Sequence, residues 1–272
     1  MRFLILIFTI ISVNNCFSQK TENYTDSYTN EKNTFNAFKA GEKLEYRISY
    51  GLFNSSYAAL SVSNDSIYGE KVLKATSIGR TTGLARLFFK VEDLYETFFP
   101  LNYVKPLKSV RDIYEGGYQR KTNTRYNHEN NKAIFIDELK NIEREIKIPS
   151  NVQDLISTFY YLRKHYDIST LKPKDLIYID IFFDEEIYPF KMMFLGTEKI
   201  KTKFGVIDCL KLKPYMDSGR VFRGNDGIKI WVSNDDNRIP IKVKADLRVG
   251  SITANLISFR GLANPFKIVI NE

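Results

Sequence analysis

The chain has 272 residues, 43% hydrophobic and 26% charged, a composition typical of folded proteins that excludes wholesale disorder. Its 40 Lys and Arg against 32 Asp and Glu give a formal net charge of +8, which favours acidic surroundings without naming a partner. Aromatic residues make up 14%, almost all Phe and Tyr, and such side chains fit a half-buried β-sheet. Two His and two Cys argue against a zinc centre or a disulfide framework, so we expect no cofactor.

The first 18 residues are typical of an export signal. Arg2 is followed by an apolar run from Phe3 to Val13, which is shorter than the roughly 20 residues that a transmembrane helix needs. Cys16-Phe17-Ser18 fits the cleavage site of a signal peptidase, so we expect cleavage after Ser18. The alternative is a lipoprotein acylated at Cys16, but Val13-Asn14-Asn15 fits that signal poorly. The sequence therefore predicts an exported protein, periplasmic or envelope-associated, with no transmembrane span after cleavage.

The mature chain divides into a flexible leader at 19–36, a β-rich domain at 37–266 and a tail at 267–272. The leader is too polar to offset the entropy of ordering it. From residue 43, apolar and polar residues alternate with the period of a half-exposed strand, most clearly between Ile239 and Val249. The apolar phase changes after Gly250, which indicates a bulge or a tight turn. Short strands separated by turn signals predict a mainly β fold, either one strongly curved antiparallel sheet or an open barrel or sandwich.

One segment, residues 151–165, has helical periodicity. Its apolar stripe consists of Val152, Leu155, Ile156, Phe159 and Tyr160. Ser150 with Gln153 matches a capping box, and Arg163, Lys164 and His165 suit the negative end of the helix dipole. We expect this single amphipathic helix to pack on the sheet and to plug or cover an open barrel.

Chemistry-bearing residues are few. We expect His128, in a polar turn, and His165, at a helix end, to be structural or solvated. Cys209 lies in a strand-like stretch and is expected to be core. No serine-hydrolase elbow, zinc-protease or nucleotide-binding string is present.

Two acidic clusters are candidates for a hard cation or for paired carboxylates. These are Asp184-Glu185-Glu186 and Asp235-Asp236. The second is also typical of a hairpin turn, which is the interpretation we favour. Arg220, Arg223 and Lys229 beside Trp231 form a basic-aromatic patch, but an exported protein rarely meets nucleic acid, so we predict no nucleic-acid partner.

Several strings resemble the family catalogued as domain of unknown function 3108. They are Phe38 to Tyr46, Gly79 to Gly83, Phe89 to Asp93, Asp154 to Arg163, Lys211 to Pro214 and Ile230 to Pro240. The resemblance covers most of residues 37–260, and it is the combination of strings that makes it specific. It implies an exported, β-rich protein of the Gram-negative envelope, with no established activity and no catalytic residues to carry over.

Our first functional hypothesis is a non-enzymatic periplasmic or envelope protein that binds a hydrophobic or lipid-like ligand, or another envelope component. Ligand contacts are then expected from Phe159, Tyr160, Trp231, Arg220 and Arg223. The alternative in which the aromatic residues simply fill the core is equally compatible with the sequence. A second hypothesis is a hydrolase that uses carboxylates among Asp93, Glu115, Asp235 and Asp236. A third is an outer-membrane β-barrel, which the internal helix and the Ile270-Asn271-Glu272 ending disfavour.

Overall fold

The structure is a computed structural model that describes residues 35–167, 170–215, 227–247 and 249–269. The predicted signal at 1–18, residues 19–34 of the predicted leader, and both Arg220 and Arg223 lie outside these residues. Within the described ranges no helix combines the length and the hydropathy that crossing a bilayer requires.

The described residues form two helices and fourteen strands, as the mainly β composition predicted. The helices are α1 (Gly83–Phe88) and α2 (Leu155–His165). The strands are β1 (Lys43–Tyr50), β2 (Phe53–Ile67), β3 (Glu70–Thr81), β4 (Val91–Pro100), β5 (Lys108–Glu115), β6 (Tyr118–Asn127), β7 (Lys132–Asp137), β8 (Ile142–Lys147), β9 (Leu176–Phe183), β10 (Glu186–Thr202), β11 (Gly205–Tyr215), β12 (Ile228–Ser233), β13 (Pro240–Asp246) and β14 (Ser251–Arg260).

All fourteen strands belong to one antiparallel sheet that is not closed. Its order is β8-β7-β6-β5-β4-β3-β2-β1-β14-β13-β12-β11-β10-β9, so the first and last strands of the chain pair in the middle and β8 and β9 are the edges. This confirms the predicted strongly curved antiparallel sheet. Because neighbours are antiparallel, every connection from an odd-numbered strand to the next even-numbered one lies at the same end of the sheet. Since α1 is one of these connections, we call this end the α1 end.

The alternation read from the sequence corresponds to the two faces of the sheet. Leu44, Tyr46 and Ile48 of β1 are buried, while Arg47 between them is exposed. The phase change after Gly250 is a tight turn, in which the Leu247 N–H donates to the Gly250 carbonyl at 3.1 Å. The inward row resumes in β14, where alternate residues from Ile252 onwards are buried.

The segment that leads into α2 brings the two edges of the sheet together. Gln153 forms a parallel bridge to Ile181 of β9, with its N–H donating to Asp180 O at 2.9 Å. On the interior side, the rings of Phe182 (β9) and Tyr126 (β6) meet edge to face at 5.9 Å. The open sheet is therefore curled like a barrel, with the pre-helix segment running along one edge.

The predicted helix begins later than its periodicity suggested. Ser150 and Gln153 do not form the predicted capping box, because Gln153 is extended against β9. Asp154 is the N-cap instead, and its carboxylate accepts the N–H groups of Ile156 and Ser157, both at 2.8 Å. The Ser157 hydroxyl in turn accepts the Asp154 N–H at 2.8 Å. The apolar spacing includes Val152 in the helix, but the backbone at Gln153 pairs with the edge strand β9, so the helix starts after it.

Helix α2 fills the inside of the curled sheet. Its residues contribute to three of the four apolar clusters: Ile156 and Tyr160 pack with β3 and β4, Leu162 packs with β9 and β10, and Phe159 contacts the cluster around β1 and β14. This confirms an amphipathic helix packed on the sheet.

At the C-terminal end of α2, Arg163 is only 2% exposed. Its guanidinium donates to both carboxylate oxygens of Glu42 at 2.7 Å, and also to the carbonyls of Asn237 and Ala37 at 2.9 Å. A buried arginine needs this number of partners to offset its lost hydration. Three of the strings that carry the family resemblance therefore meet at one guanidinium, and their role there is architectural.

Candidate functional site

The aromatic residues predicted to contact a ligand lie in the core or on the sheet. Tyr160 is fully buried, and its ring packs at 4.8 Å from that of Phe38 and 4.9 Å from that of Phe159. Its hydroxyl has no hydrogen-bond partner among the described residues. These contacts are those of a filled core, and ligand contact by Phe159 and Tyr160 stays a prediction.

Trp231 is only 6% exposed and belongs to the buried apolar cluster that also includes Tyr46 and Cys209. Its ring is flanked by Lys211 and Lys242, whose ammonium groups lie 5.5 and 5.3 Å from it, and its indole N–H donates to Glu198 at 3.2 Å. Its side chain is therefore covered in the fold, and ligand contact by Trp231 stays a prediction. A basic-aromatic patch exists here, but lysines from the neighbouring strands supply it.

Of the four candidate hydrolase carboxylates, the structure brings Asp93 and Glu115 together. Asp93 is opposite Ile113 and Glu115 is opposite Val91, so both carboxylates lie on the inner face of β4 and β5 near the α1 end. Burial, together with the charge of Glu115, raises the pKa of Asp93 to about 7. Such a group can exchange a proton near neutral pH, and a catalytic role for this pair stays a prediction.

Asp235 has a structural partner for each of its oxygens. Its Oδ1 accepts the Ser233 hydroxyl at 2.8 Å and the N–H groups of Asn237 and Arg238 at 3.0 and 3.1 Å, and Oδ2 accepts the Lys267 N–H. This is the predicted hairpin turn between β12 and β13, closed by its own aspartate.

The other acidic cluster is matched by arginines. Asp184 and Glu185 form the two-residue turn between β9 and β10, both with positive φ. Asp184 pairs with Arg111, Arg120 lies 3.4 Å from it, and Glu185 pairs with Arg144 at 2.5 Å. Across the described part of the chain, no three His, Cys, Asp or Glu side chains converge to hold a metal ion.

A small cavity lies between the N-terminus of α2 and strands β4 to β6. Its volume is about 30 Å³, enough for one or two waters and far below the roughly 300 Å³ of a small-molecule site. Its lining combines polar residues such as Arg111 and Asp154 with apolar residues such as Phe135 and Phe182. Its size does not suit a lipid chain.

Both histidines have hydrogen-bond partners in the backbone, and Cys209 is buried. His128 places its two ring nitrogens against the carbonyls of Ser150 and Pro106 at 3.0 and 2.7 Å. His165 Nε2 accepts the Val104 N–H at 2.9 Å, and burial lowers its pKa to about 4. Cys209 is fully buried as predicted, and burial raises its pKa to about 12, so it is a thiol at neutral pH.

The most unusual surface is at the α1 end, where apolar side chains project from successive connections. Leu52 is 99% exposed and Phe88 is 89% exposed, whereas a folding chain normally buries such groups. We call the following set the apolar rim: Leu52, Phe53, Leu84, Leu87, Phe88, Tyr118, Leu139 and Val249.

The rim follows the sheet from β14 and β13 through to β8. Its members come from the β13–β14 turn, the β1–β2 turn, α1, the β5–β6 turn and the β7–β8 turn, which are adjacent in the sheet order. Two contacts tie these connections together. The Tyr50 hydroxyl donates to Val249 O at 3.0 Å, and the Phe89 ring packs so closely on Gly116 that a side chain there would meet it at 2.2 Å.

The sequence predictions did not include this rim. The sequence pattern that could have indicated the rim is found in Gly51-Leu52-Phe53 and in Gly83 to Phe89, where large apolar residues occupy connections that begin with glycine. Only the structure shows that α1 buries none of its residues.

Comparison with known proteins identifies relatives without a known activity. The profile of the family described as "Protein of unknown function (DUF3108)" matches residues 45–257. No curated protein matches this chain. Among solved structures, a β-barrel-like protein of the domain of unknown function DUF1849 from Brucella abortus has a TM-score of 0.52 at 10% identity, over 83% of this chain and 99% of that chain. At that identity the likeness concerns the fold alone.

Two further solved structures are more distant. One is from Bacteroides fragilis and is described as exported with a YmcC-like fold, with a TM-score of 0.31 and 10% identity over 84% of this chain and 99% of that one. The other, from Parabacteroides distasonis, is described as a lipoprotein, with a TM-score of 0.34 and 14% identity over the same shares. At these TM-scores neither supports an argument about this chain.

Proposed function

The chain belongs to the DUF3108 family, and we propose that it is an exported, non-enzymatic protein of the cell envelope that binds a hydrophobic envelope component on its surface, at the α1 end. Export rests on the signal-like first 18 residues. The single observation that carries binding is the apolar rim.

Two features favour the surface over the interior. The inside of the curled sheet is occupied by α2, and the cavity beside it is only large enough for water. The rim, by contrast, exposes large apolar side chains to solvent, with Leu52, Leu87 and Phe88 at 80% exposure or more. Exposed patches of this kind mark binding sites for proteins, membranes or other apolar partners.

The test uses the mature chain, residues 19–272, and micelles of the non-ionic detergent dodecyl maltoside as an uncharged hydrophobic probe. We expect the protein to bind the micelles, and the triple variant Leu52→Ser/Leu87→Ser/Phe88→Ser to bind at least tenfold more weakly, since each exposed side chain transfers about 1.5–3 kcal/mol on burial. Sedimentation velocity measures the bound fraction.

The matched control is Tyr68→Ser/Leu101→Ser/Tyr103→Ser, which removes three exposed apolar side chains at the opposite end. It should bind micelles like the wild type. Absence of micelle binding by the wild type, or equal losses in the two triple variants, would remove the proposed function.

A further inference from the structure

We propose that the α1 end docks on the surface of an anionic lipid bilayer, with apolar side chains inserted among the headgroups and a row of cations behind them. This inference rests on the proposed function and names its partner. It is carried by two observations that coincide at one side of the molecule: the apolar side chains and the charges beside them.

The apolar part consists of three neighbouring connections. Val249 projects from the β13–β14 turn, Leu52 from the β1–β2 turn, and Leu84, Leu87 and Phe88 from α1. We call these five side chains the tips. Exposed Leu, Val and Phe side chains on short connections suit the boundary between headgroups and acyl chains, into which they can insert.

The charged part is a cross-strand row on the outer face of the same strands. Strand register places the following residues side by side across β11, β12, β13, β14, β1, β2, β3 and β4: Lys211, Trp231, Lys242, Asn255, Arg47, Tyr57, Arg80 and Glu92. Arg47 and Arg80 are exposed. The row contains four cations and one carboxylate, Glu92. Lys211 also pairs with Glu198 of β10 at 2.6 Å, and the Trp231 ring is buried.

The row lies at the depth that such docking requires. Arg47 precedes Tyr50, the last residue of β1, by three positions, which corresponds to about 10 Å along a strand. Tips that insert 5–10 Å would therefore bring the guanidinium groups to the level of the lipid phosphates. Arg86 and Lys90 add positive charge beside Glu92, the one carboxylate of the row.

Charge complementarity favours a membrane with anionic lipids. Cations near an anionic bilayer each strengthen binding severalfold.

The experiment is vesicle flotation with the mature chain, using phosphatidylcholine alone and a 3:1 mixture with phosphatidylglycerol. We expect binding to the anionic vesicles at least tenfold tighter than to neutral ones, weakened in 0.5 M NaCl because salt screens the attraction. The row variant Arg47→Gln/Arg80→Gln/Lys242→Gln should lose about a hundredfold in affinity for anionic vesicles. The tip variant Leu52→Ser/Leu87→Ser/Phe88→Ser should lose binding to both.

The matched charge control is Lys39→Gln/Lys71→Gln/Lys132→Gln, which removes three exposed cations at the opposite end and should bind anionic vesicles nearly as the wild type. Circular dichroism melting confirms that each variant is folded. Equal affinity for the two vesicle types, or equal losses in the two charge variants, would overturn membrane docking. Micelle binding without vesicle binding would overturn this inference alone, whereas loss of both would also remove the proposed function.

Discussion

The two ends of the curled sheet differ in which side chains they bury and which they expose. At the end where β1 begins, polar groups are buried and satisfied by one another: Arg163 holds Glu42, Asp235 closes its own turn, and Arg238 donates to Arg163 O at 3.3 Å, at the end of α2. At the α1 end, apolar groups are left in solvent, and Asp93 is buried beside another carboxylate. The paired polar groups at the Arg163 end hold the fold together. The exposed apolar groups at the α1 end contribute nothing to folding, which is why we place the proposed function at the α1 end.

The largest expected effect is at the Arg163 end. Arg163→Met should lower the free energy of unfolding by about 3–5 kcal/mol, because it leaves the Glu42 carboxylate buried without a partner. The matched control is Lys43→Met, which breaks the partly exposed Lys43–Glu45 pair and should cost less than about 1 kcal/mol. Urea unfolding measures both, and similar costs for the two variants would contradict the assignment of Arg163 as the anchor of α2.

A smaller effect is expected at the α1 end. The pKa of Asp93 is raised to about 7, so the folded state favours its protonated form and the wild type loses stability as pH rises from about 4 to 7. Asp93→Asn removes this loss and should be more stable than the wild type by about 2 kcal/mol at pH 8, with little difference at pH 4. Urea unfolding at both pH values measures it. Asp112→Asn, an exposed neighbour on β5, should change neither value; a gain there as large as that of Asp93→Asn would refute a local origin.

The smallest effect concerns His165, near the opposite end, where the pH dependence of stability runs in the reverse direction. Its pKa is lowered to about 4, so the folded state favours the neutral ring and the wild type loses stability as pH falls from about 6.5 to 4. His165→Gln keeps an acceptor for the Val104 N–H but cannot titrate, and should reduce this acid loss by about 1 kcal/mol, since the ring is partly exposed. Urea unfolding at pH 7 and pH 4.5 tests it, and an unchanged acid loss in the variant would show that His165 is not its source.

Local patterns were sufficient to predict the strands and much of α2. The alternation at Leu44, Tyr46 and Ile48 reports one buried face directly, and Gly250 marks its own turn. The start of α2 could not be predicted, because Gln153 is held by β9, which lies well beyond it in the sequence. The burial of Arg163 was missed for the same reason, since its helical position suits solvent and only the distant Glu42 explains it.

The candidate sites were less accessible to sequence reasoning than the fold. Trp231 was placed in a basic patch with partners from its own segment, whereas lysines from β11 and β13 flank it. The carboxylates Asp93 and Glu115 were named separately, and only strand pairing makes them neighbours. The rim needed both the exposure of each residue and the alignment of several turns at one end.

The sequence by itself determined the class of structure, because period-2 alternation, glycine turns and one helical stripe are local consequences of backbone geometry. It also identified the family through strings that meet at the buried Arg163. The tertiary structure alone decided which apolar residues are left over. Leu44 lies in strand β1 and Leu52 follows two residues after its end, yet Leu52 is fully exposed and Leu44 is fully buried. Burial depends on what the rest of the chain places against a residue, and that is a property of the assembled sheet.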